Sequence, residues 1–227
     1  MIIKAVLLDL DGLLVDSEPL HWKAWKIVAE ENGASITDEE ITQFTGVGNF
    51  EVASYLAKML DNGRKPEELV DKKLGEYLGL LKNIKLMPGM KEFLTKLKKN
   101  HIRMAVVSGA QRVEVVQALQ YTAIFSFFDV IICREDVKNF KPAPDSYTLA
   151  TKRMNVHPKE CVAFEDTQTG VLSAKSAGVF CIAVPNELSK KQNFTKADLI
   201  IESIQSLLGE KSFNLKTRNP MIGKLLG

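Results

Sequence analysis

The sequence predicts a doubly wound parallel α/β sheet with a helical bundle inserted into it. Three observations predict this. Short runs of consecutive apolar residues recur along the chain, and most are followed by turn residues and then a segment of helical periodicity. Such runs suit strands buried on both faces of a parallel sheet. One connection between runs is about ninety residues long, far more than a single crossover helix needs.

The runs fall at Ile2–Leu10, Ile102–Val107, Phe128–Ile132, Cys161–Phe164 and Val179–Val184, with a short sixth at Leu199–Ile201. Between them, Lys91–Lys99, Arg112–Leu119 and Thr169–Ala177 read as helices. Alternation of this kind implies a sheet with right-handed crossovers. The long connection reads as mostly helical. Trp22, Trp25, Ile27 and Val28 form one helical set, Phe50, Ala53, Tyr55, Leu56 and Leu60 a second, and Leu69–Leu81 a third. Breakers at Gly33, Gly46–Gly48 and Asn62–Gly63 separate them. The expected organisation is a core of residues 1–16 and 87–209, a helical cap of 17–86, and a C-terminal extension of 210–227 with little pattern.

Thirty basic residues stand against 28 acidic ones, a formal net charge of +2. That balance gives no reason to invoke nucleic acid or an anionic membrane. No apolar run reaches the roughly 18 residues that suggest a membrane span. Lys4 interrupts the first run, which leads straight into Asp9 instead of a signal-peptide cleavage site. Cys133, Cys161 and Cys181 have neither disulfide-framework nor metal-ligand spacing. Buried free thiols in a reducing cytoplasm are the expectation.

In open α/β sheets, ligands bind outside the carboxyl ends of the strands. The first run ends at Asp9 and Asp11, the second at Ser108 and Gly109, and the fourth at Glu165 and Asp166; Lys141 lies in the loop after the third. Clustered acidic groups call for a hard cation with oxygen ligands, and Mg2+ fits. Mg2+ takes one or two carboxylates plus waters and substrate phosphate. Lys141 and the Ser108 hydroxyl would hold other phosphate oxygens. The Gly109 and Ala110 amides precede a helix, whose N-terminus is an anion site. Singly, each residue has a plainer reading as a turn, cap or surface charge. Their order along the chain is what favours a shared site.

The segment Asp9-Leu10-Asp11-Gly12-Leu13-Leu14-Val15-Asp16-Ser17 resembles the first motif of the haloacid dehalogenase superfamily. Ser108, Lys141 in Lys141-Pro142-Ala143-Pro144-Asp145, and Phe164-Glu165-Asp166-Thr167-Gln168-Thr169-Gly170 match the other three in order. The resemblance spans residues 1 to about 206, cap included. It implies that Asp9 is a nucleophile forming an aspartyl-phosphate and that Asp11 is the general acid and then base. It also implies that Asp9, the Asp11 backbone carbonyl and Asp166 bind Mg2+, with Glu165 in support. An Asp at position 11 argues for phosphatase or phosphomutase chemistry and against carbon–halogen cleavage.

Within the superfamily, His21-Trp22-Lys23-Ala24-Trp25 and Phe44-Thr45-Gly46-Val47-Gly48-Asn49 resemble the β-phosphoglucomutase-like subfamily. The resemblance makes His21, Trp25, Gly46, Asn49 and Lys73 candidate substrate contacts in the cap. One departure matters. Sugar-phosphate mutases carry an arginine where Asn49 stands, and a neutral amide lacks the charge and fork that suit a second phosphate. The expected function is therefore a cytoplasmic, monomeric, Mg2+-dependent phosphatase acting on a small phosphomonoester such as a sugar phosphate. A β-phosphoglucomutase-type mutase is the first alternative, and a non-catalytic sugar-phosphate sensor is the next. A nucleotide-dependent oxidoreductase is disfavoured because no Gly-x-Gly-x-x-Gly follows the first strand.

Overall fold

The computed structural model describes residues 3–44 and 48–208, with residue 223. The chain divides into two compact units, Met1–Asp16 with Lys85–Gly227, and Ser17–Ile84.

The first unit holds β1 (Ala5–Leu8), β2 (Val15–Asp16), β3 (Lys85–Leu86), β4 (Arg103–Val107), β5 (Val130–Ile132), β6 (Cys161–Glu165), β7 (Phe180–Ala183) and β8 (Leu199–Ile200). Six of these form one sheet of order β5-β4-β1-β6-β7-β8, with every pairing parallel. Its helices are α5 (Met90–Lys99), α6 (Arg112–Tyr121), α7 (Asp145–Arg153) and α8 (Gln168–Ser176). They are numbered after the four helices of the second unit.

β1 is Ala-Val-Leu-Leu with all four residues buried, which is why apolar residues run consecutively there instead of alternating. Ala5, Leu7, Ala105, Val107, Ala163, Cys181 and Ala183 pack with Tyr147, Ala150, Val171 and Ala174 of α7 and α8 in one core. Elsewhere Phe93 of α5 meets Phe164 of β6 edge-on, ring centroids 5.1 Å apart. All three cysteines are buried free thiols. Burial pushes the Cys133 thiol up to about 11 and Cys161 up to about 12.

Three elements of this unit add to the sequence reading. β2 and β3 pair antiparallel, so the strand leaving β1 and the segment returning toward α5 lie side by side. The Met87 amide extends the ribbon with a 3.0 Å bond to the Leu14 carbonyl. Helix α7, which begins four residues after Lys141, is the third.

The second unit comprises α1 (Glu18–Glu31), α2 (Asp38–Thr42), α3 (Asn49–Leu60) and α4 (Pro66–Leu80). Pro66 opens α4, where its missing N–H costs nothing. Thr37 and Glu40 form a capping box at α2. Trp25, Val28, Ile41, Val52, Leu56 and Leu69 are among the residues of its core. Among the described residues, no helix is long and apolar enough to cross a membrane. The expected C-terminal extension lies outside the described residues, residue 223 excepted.

Candidate active site

The strand order gathers the candidate residues. β1 lies between β4 and β6, so Asp9, Ser108 and Glu165-Asp166 occupy three adjacent carboxyl ends. The Asp9 amide donates to the Phe164 carbonyl at 3.2 Å, holding the first loop to the strand beside it.

Lys141 ties these ends together. Its Nζ donates to Asp9 Oδ1 at 2.6 Å, to Glu165 Oε1 at 2.5 Å and to the Val107 carbonyl at 2.9 Å. An ammonium has three protons, and three acceptors use them all. Burial works to lower the Lys141 ammonium, but Asp9 and Glu165 outweigh it and hold it above its ordinary value.

Glu165 is fully buried. Its Oε1 also accepts from the Tyr147 hydroxyl at 2.5 Å. A Cβ at Gly170 would lie 1.9 Å from Glu165 Oε2, so only glycine admits the carboxylate there. Tyr147 was not legible as a site residue, since a tyrosine in a short helix reads as core. The need of a buried phenol for a partner was the available signal.

Ser108 is buried at the end of β4, and its Oγ accepts the Ala110 amide at 3.0 Å. The helix N-terminus that follows is already engaged. The Gln111 amide donates to Glu114 at 2.9 Å, and the Arg112 amide donates to both carboxylate oxygens of Glu135. Of the expected anion-binding groups, the Ala110 amide is thus turned to the serine hydroxyl, and Glu135 neutralises the helix end.

Asp9, Glu165 and Asp166 each place a carboxylate oxygen within 4.8 Å of the others, all three buried. Burial pushes the Asp9 carboxyl up to about 7, with Glu165 and Asp11 adding to the rise and Lys141 offsetting part of it. Burial, then the charges of Asp9 and Glu165, hold Asp166 well above the usual carboxylate range. With all three carboxylates ionised, one lysine would face a surplus of negative charge, and the raised carboxyls relieve it by holding protons when no cation is bound. Asp166 Oδ2 accepts from Asn186 Nδ2 at 2.8 Å, whereas Oδ1 is buried and has no hydrogen-bond partner among the described residues. A buried carboxylate oxygen with no donor is costly, and a hard cation satisfies both it and the charge surplus. The donor set fits Mg2+. Asp11 lies in the loop after β1, its backbone bridged to Val15.

Of the cap candidates, Trp25 belongs to the apolar core of the helical unit. Asn49 begins α3 and is exposed. Gly46 lies outside the described residues. Lys73 is buried within the unit, with Nζ 2.6 Å from His21 Nδ1 and 4.7 Å from the centre of the Tyr77 ring. The His21 and Tyr77 rings stack at 3.9 Å.

A parallel sheet whose carboxyl edge carries paired aspartates, a lysine, a serine and a second acidic pair defines a hydrolase of the phosphoryl-transfer kind. The chain belongs to the haloacid dehalogenase-like hydrolases, whose family model matches residues 6–184. It is an enzyme of the branch that holds sugar phosphatases and β-phosphoglucomutases. It is 34% identical over 180 residues to the phosphorylated carbohydrates phosphatase of Thermotoga maritima, covering 78% of this chain and 82% of that one. It is 27% identical to the β-phosphoglucomutase of Bacillus subtilis, covering 90% and 91%. The crystal structure of CbbY from Rhodobacter sphaeroides in complex with phosphate superposes with a TM-score of 0.80 at 27% identity, covering 94% and 100%.

Proposed function

We propose that the protein is a Mg2+-dependent phosphatase that hydrolyses a small sugar phosphate through an aspartyl-phosphate on Asp9. The observation that carries this reading is the buried cluster of Asp9, Glu165 and Asp166 around Lys141, with one Asp166 oxygen left unpartnered.

In the first step an Asp9 oxygen attacks phosphorus as the bond to the leaving oxygen breaks. Asp11 gives its proton to that oxygen, so the sugar departs as an alcohol. In the second step a water oxygen attacks phosphorus and Asp11 takes its proton. The bond to Asp9 breaks, releasing inorganic phosphate. Bound Mg2+ supplies charge neutralisation to the phosphoryl group and keeps Asp9 ionised. Asp9, Asp166 and the Asp11 carbonyl would hold it. Glu165 anchors Lys141, which orients Asp9 and offsets charge on the transferring group. The Ser108 hydroxyl and Gly109 amide bind phosphate oxygens.

In the helical unit, His21 is the proposed substrate-selecting residue, supported by the subfamily resemblance of His21-Trp22-Lys23-Ala24-Trp25, and buried Lys73, 2.6 Å from its Nδ1, orients the ring. A mutase would use the same core steps, and the similarity to β-phosphoglucomutase along most of both chains favours that second reading. Asn49 in place of the mutase arginine favours hydrolysis, because reversing a bisphosphate intermediate requires a grip on the second phosphate. The test is phosphate release from a panel of sugar phosphates, nucleotides and phosphoglycolate, with and without Mg2+. Release from sugar monophosphates without a bisphosphate activator supports the phosphatase. Isomerisation that depends on a sugar bisphosphate, without phosphate release, overturns it.

A further inference from the structure

Asn186 follows β7 and reaches two other loops of the same sheet edge. Its Nδ2 donates to Asp166 Oδ2 at 2.8 Å and to the Gly12 carbonyl at 3.3 Å. Its Oδ1 accepts the amides of Leu188 at 2.9 Å and Ser189 at 3.1 Å. The Asn186 amide in turn donates to Ser189 Oγ at 3.0 Å. The orientation of the carboxamide is therefore set. Its oxygen is fixed by two backbone donors, so its nitrogen must face the two acceptors, and both Nδ2 protons are used.

The turn at residues 186–189 needs only the oxygen. The nitrogen half does something separate: it holds Asp166 by one oxygen and leaves the other, Oδ1, buried and unpartnered. Gly12 is shaped to allow this contact. It has φ +74°, and a Cβ there would lie 2.3 Å from Asp166 Oδ2 and 2.6 Å from Asn186 Nδ2. A neutral donor suits the task. A lysine or arginine at this place would orient Asp166 but also neutralise it, competing with a metal for the same charge.

We propose that Asn186 is a positioning residue that sets the Mg2+ affinity of the site by presenting Asp166 Oδ1, a proposal that rests on the Mg2+ reading above. Without the clamp, Asp166 must be ordered by the metal itself, and binding weakens. Loss of a residue that orients a metal ligand costs about tenfold to a hundredfold in metal affinity.

The experiment titrates MgCl2 into metal-free protein calorimetrically, without phosphate or substrate. Asn186→Ala raises Kd by about tenfold to a hundredfold, and Ser189→Ala, which loosens the same turn but spares Nδ2, stays within about twofold of wild type. The Mg2+ concentration for half-maximal activity shifts in parallel. An unchanged Kd in Asn186→Ala overturns the proposal. So do equal shifts in the two variants, or an Asn186→Ala chain that does not fold, since either assigns the residue to the turn. Wild-type protein that binds no Mg2+ would instead remove the metal reading itself.

Discussion

Replacing Lys141 with methionine separates two things the lysine does. The substitution keeps most of the side-chain volume and removes one charge and three donors. Asp9 Oδ1, Glu165 Oε1 and the Val107 carbonyl all lose a partner. Removing one side of a buried ion pair costs about 3–5 kcal/mol. At roughly 2–4 °C per kcal/mol for a chain of this size, the metal-free protein should melt about 6–20 °C lower. The loss depends on pH. Asp9 already sits up at about 7 with Lys141 beside it. Without the lysine it rises further and takes up a proton, so the penalty is smaller at pH 5.5 than at pH 8. Turnover falls separately, by about 10²–10³-fold, the usual effect of deleting one preorganised electrostatic group. Calorimetry in EDTA at the two pH values reads the first effect, and phosphate release at saturating Mg2+ reads the second. A Lys141→Met protein with wild-type turnover and an equal melting shift at both pH values would refute the reasoning.

Other outcomes follow from the same geometry. Tyr147→Phe removes the hydroxyl on Glu165 Oε1 and should cost about 1–3 kcal/mol, read as a lowered melting temperature; no change would mean that Lys141 alone satisfies the carboxylate. Asp11→Asn should slow turnover of a sugar phosphate by about 10²–10⁴-fold, and an unchanged rate would show that another group moves the proton. The metal-free wild-type protein should lose stability as pH rises from about 4 to 7, because folded Asp9 holds a proton there that the unfolded chain has released. The Asp9 displacement alone corresponds to about 4 kcal/mol, and Asp166 acts in the same direction. Lys141, held above its ordinary value, contributes uniformly across that window, and Asp136, Glu40 and Glu160, whose carboxyls lie low, lose their contributions as pH falls through and below its lower edge. Mg2+ should therefore protect more at pH 8 than at pH 5.5; equal protection would place the metal away from these carboxylates.

The sheet was legible in the sequence because its strands are buried on both faces, which leaves uninterrupted apolar runs such as Ala5–Leu8 and Cys161–Phe164. Their carboxyl ends then pointed to Asp9, Ser108, Glu165 and Asp166. Helix α7 was harder to read because its buried positions are Ser146, Tyr147, Ala150 and Thr151, giving little apolar period to count. The β2–β3 ribbon joins two-residue segments almost seventy positions apart, and no local pattern encodes such a pairing. Asn186 stands one residue past Pro185, at the carboxyl end of a strand that the apolar runs reveal, and nothing in its own sequence context marks it as a site residue. What the sequence could not convey was which end of its amide faces Asp166, since that depends on backbone donors at Leu188 and Ser189. The engagement of all three Lys141 protons is likewise a property of three converging strand ends, none of them near it in sequence.

Covalent phosphate on Asp9 is the claim on which the rest depends, and chemical trapping tests it most directly. Asp11→Asn protein is mixed with Mg2+ and acetyl phosphate, whose leaving group needs no proton, so the first step proceeds while the second lacks its base. Acid quench and borohydride reduction convert an aspartyl-phosphate to homoserine, which peptide mass spectrometry locates. Homoserine at position 9, absent from the Asp9→Asn, Asp11→Asn double variant, is the expected result. Phosphate release without homoserine at position 9, or homoserine at another aspartate, would contradict the account.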